Sequence, residues 1–91
     1  MVEQLKKVLN SIEEEIKNEN SIWDKELLVS IVKPEIEELY IHFVNGKVFF
    51  KYEKKQRMLE STYIVTDSVR NLNNTRLGKD ISKLQEMYNK L

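Results

Sequence analysis

The dipeptide Asn45-Gly46 stands between two runs of alternating character, Leu39 to Val44 and Lys47 to Tyr52, and constrains the chain more than any other feature. Asn-Gly accepts positive φ at both central positions of a type I′ turn, the tight two-residue connection between antiparallel strands. Such a turn sets the register. Val44 faces Lys47, Phe43 faces Val48, His42 faces Phe49, Ile41 faces Phe50, Tyr40 faces Lys51, Leu39 faces Tyr52 and Glu38 faces Glu53. One face then gathers Leu39, Ile41, Phe43, Val48, Phe50 and Tyr52, which predicts burial. The other carries Tyr40, His42, Val44, Phe49 and Lys51 with the two glutamates.

Further strands are expected on either side. Leu59 to Thr66 holds Tyr63, Ile64 and Val65, whereas Glu26 to Lys33 is ambiguous: positions 23, 27, 28 and 31 suit a helix, while β-branched content and a following Pro34 favour the strand adopted here. The ends of the chain have a different period. Val2, Leu5, Leu9, Ile12 and Ile16 recur at spacings of three and four, as do Leu77, Ile81, Leu84, Tyr88 and Leu91. Each series marks one face of an amphipathic helix. Asn18, Asn20 and Ser21 should end the first helix. Thr66, Asp67 or Ser68 can cap a turn with Val69 and Leu72 inward, and Asn73-Asn74 and Gly78 threaten to interrupt the last helix. The expected fold class is α+β: an N-terminal helix, an antiparallel β-meander of three or four strands and a C-terminal helix, with both helices on one face of the sheet.

A chain of 91 residues with 41% hydrophobic and 33% charged side chains is expected to form a single domain, 1–91, with one modest core. It contains no cysteine, so thiolate nucleophiles and cysteine-held metals are excluded, and an intracellular, cytoplasmic setting is expected. Met1 to Lys7 is amphipathic, and no segment approaches the ~20 apolar residues of a membrane span. Net charge is zero, but residues 1–45 hold ten acids and five bases while residues 46–91 hold five acids and ten bases. Attraction between the halves is the favoured reading, and a basic face for an acidic partner is the other.

Enzymatic signals are missing. There is no glycine-rich phosphate loop, no paired histidine at metal spacing, and only one histidine, His42, whose expected neighbours include no orienting carboxylate. Glu13-Glu14-Glu15 reads as the solvated face of a helix, and Glu38 opposite Glu53 as a tolerated strand-end repulsion. No catalytic residue, metal ligand or cofactor is therefore assigned.

Two constellations remain. Tyr40, His42, Val44, Phe49 and Lys51 put aromatic and apolar area on a face that water would otherwise wet, the composition of a partner-binding hot spot. Lys47, Lys51, Lys54, Lys55 and Arg57, interleaved with Phe49 and Tyr52, resemble in composition a stacking platform for single-stranded nucleic acid. The favoured expectation is a small non-enzymatic protein-binding module that acts by occlusion, of inhibitor, antitoxin, immunity or adaptor type. Nucleic-acid binding is the alternative, and a self-assembling subunit or homodimer a third reading. The chain lacks alanine and has twelve lysines against three arginines, the bias of AT-rich coding. That bias suits a phage or mobile-element protein directed at a host defence or regulatory protein.

Overall fold

The computed structural model describes residues 1–48, 50–67 and 70–91. Among the described residues every regular element is helical: α1 is Val2–Lys17, α2 spans 25–44, α3 is Glu60–Asp67 and α4 is Arg76–Asn89, with 3-10 turns at Lys54–Gln56 and Leu72–Asn74. There is no sheet among these residues, so the expected α+β class, its antiparallel meander and its β-hairpin are overturned. No helix of the described residues is long and apolar enough to cross a membrane.

The two terminal helices follow the spacing that predicts them. Leu5, Val8 and Ile12 form the buried stripe of α1, which packs on α2 and α4, and Leu77, Ile81, Leu84 and Tyr88 form that of α4. Asn18 turns to extended backbone and ends α1. Thr75 starts α4: its hydroxyl accepts from the Gly78 N–H at 3.0 Å and donates to the Leu72 carbonyl at 2.6 Å. The Trp23 indole donates to the same hydroxyl at 3.0 Å, tying the α1–α2 connection to this cap. Gly78 does not interrupt α4. It lies in the first turn, where a Cβ would stand 1.9 Å from the Leu72 carbonyl oxygen, so only glycine lets the backbones meet.

The expected strands fail for separate reasons. Glu26 to Lys33 lies inside α2, which Asp24 caps by accepting from the N–H groups of Glu26 and Leu27. Pro34 has no N–H and its ring crowds the carbonyl four residues back, so an ordinary α-turn cannot run through it. The helix widens instead into a π-turn, Leu28–Val32, in which the Lys33 N–H reaches the Leu28 carbonyl five residues back. Leu28, Val32, Ile36 and Leu39 then share one buried stripe at spacings of four, four and three.

The run from Leu39 to Val44 belongs to the same helix, and Asn45-Gly46 is its stop signal. Gly46 has φ +74°, its N–H donates to the Phe43 carbonyl at 3.1 Å, and the Lys47 N–H donates to the His42 carbonyl at 3.0 Å. These two bonds define a Schellman cap, which asks for the same left-handed glycine as a hairpin turn. Among the described residues the pairings from Val44–Lys47 to Glu38–Glu53 therefore do not exist, and Phe49, expected opposite His42, lies outside the described residues. Leu59 to Thr66, the remaining strand, is mostly α3, with Leu59, Thr62 and Val65 turned inward at a spacing of three. Ser68 and Val69, assigned to a cap and an inner face, lie outside the described residues.

Candidate functional site

The described residues 45–48 and 50–59 form a strap from the end of α2 to the start of α3, with one 3-10 turn among them, and its course is set by buried polar side chains of α2 and α4. Glu35, on the inner side of α2 and 3% exposed, accepts from the N–H groups of Glu60 and Ser61 at 2.9 Å each and from the Ser61 hydroxyl at 2.6 Å. A carboxylate here satisfies the orphan donors of the first turn of α3 and meets the positive end of its dipole. Gln85 of α4 completes the anchorage. Its Oε1 accepts from the Leu59 N–H at 2.9 Å and the Thr62 hydroxyl at 2.7 Å, and its Nε2 donates to the Arg57 carbonyl and to Asn89 Oδ1.

Aromatic rings hold the rest of the strap. The Tyr88 hydroxyl accepts from the Lys51 N–H at 2.7 Å, and the Phe50 and Tyr88 rings are 6.1 Å apart, tilted by 58°. The Arg57 guanidinium lies 3.7 Å from the Phe50 centroid and 6.0 Å from that of Tyr88. The Lys51 ammonium reaches Glu35 at 3.6 Å. Burial would lower its pKa, but the negative charge of Glu35, with the Tyr52 phenolate, Glu60 and Glu38, raises it on balance. Burial also raises the Tyr52 hydroxyl, and Glu35 and Glu60 reinforce that direction.

Between the strap, α3 and the end of α4 opens a groove of about 810 Å³, lined by Tyr52, Lys54, Lys55, Gln56, Arg57, Met58, Glu60, Tyr63, Gln85 and Asn89. Met58 and Tyr63 are 40% and 51% exposed, large side chains left uncovered beside the half-buried Tyr52 and Arg57. Three cations face one acid in the lining. The groove thus offers aromatic and thioether surface at its centre and positive charge along the strap. Within the lining the Tyr52 hydroxyl donates to Glu60 Oε1 at 3.5 Å.

Among the described residues, those expected to bind a partner do not share a face. Tyr40 and Val44 are one helical turn apart on α2, Tyr40 packed against the core and Val44 exposed. His42 lies about half a helical circumference away from both, with its Nδ1 at 2.8 Å from the Glu38 carbonyl. Lys51 is drawn inward to Glu35, and Phe49 lies outside the described residues. Of the basic set, Lys54, Lys55 and Arg57 meet in the groove, whereas Lys47 sits at the α2 cap and Lys51 behind the strap. In the acidic triplet Glu13 pairs with Lys33 at 2.8 Å, Glu14 with Arg76 at 3.5 Å, and Glu15 accepts from the Ser21 hydroxyl.

Sequence reading missed Met58, Tyr63, Gln85 and above all Glu35. A signal existed for Glu35: on a helical projection it falls on the same side as Val32, Ile36 and Leu39, a charge on an apolar stripe. No protein-family model matches the chain, and neither a curated protein nor a solved structure matches it.

Proposed function

We propose that this chain is a small non-enzymatic binding protein that acts by occlusion, covering a surface of a partner protein with the groove between the strap, α3 and the end of α4. The observation that supports it is the exposure of Met58 and Tyr63 beside Tyr52 and Arg57 in one concave surface. Methionine, tyrosine and arginine at the centre with lysine at the rim is the make-up of a protein-binding hot spot. The role is that of an inhibitor, antitoxin, immunity protein or adaptor. The cysteine-free sequence fits work in the reducing cytoplasm.

The test is affinity capture from a nuclease-treated lysate of the cells that carry the gene, comparing the native protein with a Met58→Ala/Tyr63→Ala variant. Both side chains are exposed, so the variant should unfold as cooperatively as the native chain. A protein held by the native chain and lost by the variant is the expected result. Capture of the same proteins by both rejects the groove as the working surface.

Nucleic-acid binding is the second reading, favoured by the meeting of Lys54, Lys55 and Arg57 with Tyr52 and Tyr63. Against it, Lys51 is engaged by Glu35, Arg57 lies against Phe50, and Glu60 stands in the groove where a phosphate chain would pass. It requires affinity that falls steeply with salt.

A further inference from the structure

We propose that Asn45-Gly46 is a self-modification site: the Gly46 amide nitrogen converts the Asn45 carboxamide to an acid through a cyclic imide, at a rate set by opening of the α2 cap. The reaction needs no partner. Asn45 alone among the asparagines of the chain is followed by glycine. Both residues are exposed, and no atom lies within 4 Å of where a Gly46 Cβ would be, so nothing crowds a ring built on this amide. The other asparagines precede residues whose side chains hinder approach of the following nitrogen.

The step balances without oxidant or cofactor. The Gly46 nitrogen attacks Asn45 Cγ; the N–Cγ bond forms, the Cγ–Nδ2 bond breaks, and Nδ2 leaves as ammonia with the proton that Gly46 gives up. Water then opens the imide. Attack of water at Cγ leaves aspartate, and attack at the main-chain carbonyl carbon of Asn45 leaves isoaspartate, in which the chain runs through the side chain.

The cap holds the reacting atoms apart. Imide closure brings Cβ, Cα, C and the Gly46 nitrogen near one plane, whereas at ψ 12° that nitrogen eclipses the nitrogen of Asn45 and Cβ stands well out of the plane. The Gly46 N–H is engaged by the Phe43 carbonyl at 3.1 Å, and the carboxamide is drawn back along the helix by its Nδ2 bond to the Ile41 carbonyl at 2.9 Å. Rotating ψ to the closing geometry swings the Gly46 and Lys47 amides together and breaks both bonds of the Schellman cap. Such fraying is cheapest in the last turn of a helix.

The product undoes the cap. A carboxylate at position 45 has no N–H for the Ile41 carbonyl, and it sets a negative charge at the negative end of the α2 dipole. Isoaspartate also lengthens the main chain within the turn. The strap that carries Lys54, Lys55 and Arg57 starts here, so conversion loosens its near end.

The test incubates the full-length protein at neutral pH, folded and in urea, and follows each asparagine by peptide mass spectrometry, with isoaspartyl methyltransferase as the probe for the rearranged product. Conversion at Asn45 ahead of every other asparagine is expected in both states. It should be slower in the folded protein by about tenfold or more, as for a site reached by opening a helix cap. Asn45→Asp, the simpler product made directly, should lower the urea midpoint and speed hydrogen exchange at the Gly46 and Lys47 amides. No conversion of Asn45 in the folded protein after its complete conversion in urea, equal rates in the two states, or faster conversion at another asparagine overturns the proposal. An Asn45→Asp chain with unchanged midpoint and unchanged exchange overturns the effect on the cap.

Discussion

Glu35 is the residue through which the rest of the site is placed. It is a carboxylate among apolar neighbours, and it remains there because three donors and an ammonium surround it. Removing it leaves those donors buried and unmet. Glu35→Ala should cost about 3–5 kcal/mol of stability, the range for breaking a buried charged network, and Glu35→Gln about 1.5–3 kcal/mol, since the amide keeps one acceptor. Urea unfolding followed by circular dichroism checks both, and a loss below 1 kcal/mol in the alanine variant would show that the α3 cap is dispensable. The pair Lys51 and Tyr52 sets a pH limit. Both folded pKa values lie above the ordinary ones of 10.5 and 10.0. The folded state therefore holds these protons more tightly, so their contribution is whole below about pH 10 and is lost as pH rises through the folded values. Urea midpoints measured from pH 8.5 to 11 should fall across that window, and a flat or rising trend would contradict this.

At the scale of elements, the end of α2 decides where the strap begins. Gly46 sits at positive φ with no atom within 4 Å of where a Cβ would be, so alanine there meets backbone strain but no clash. Gly46→Ala should cost about 1–2 kcal/mol and fray the last turn of α2, visible as faster hydrogen exchange at the capped Lys47 amide. Unchanged stability would mean that the Schellman cap does not hold the turn. This position also shows why the terminal helices were legible in the sequence and the middle of the chain was not. At the ends, apolar residues recur at three and four over two full heptads with charges between them, which a strand cannot imitate. Leu39 to Val44 is almost wholly apolar, and over six residues periods of 2 and 3.6 fit it equally well. Only the longer series Leu28, Val32, Ile36, Leu39 and Phe43 separates them, and it runs through Pro34, which argues locally against a helix. Asn-Gly then tipped the reading, since one left-handed glycine serves both a hairpin turn and a helix stop. The basic stretch 54–57 was recognisable because its charge needs no fold to be seen. Its neighbours Met58, Tyr63 and Gln85 join it only through helix packing.

Across the whole molecule, the opposed charges of the two halves are in part matched internally. Arg76 meets Glu14 at 3.5 Å and Lys51 meets Glu35 at 3.6 Å, each pair joining a base of residues 46–91 to an acid of residues 1–45. The first is a surface contact and contributes little to stability, whereas the second lies on the inner side of the strap. Once these pairs are made, Lys54, Lys55 and Arg57 remain gathered on one concave surface, and the buried helices behind it supply the rigidity a binding surface needs. The most direct test of that surface is amide hydrogen exchange of the protein alone and in complex with the captured partner. Binding through the groove predicts added protection confined to residues 52–63 and 85–89, with α1 and the outer side of α2 unchanged. Added protection on 37–48 with none on 52–63 would place the interface at the end of α2 and contradict it.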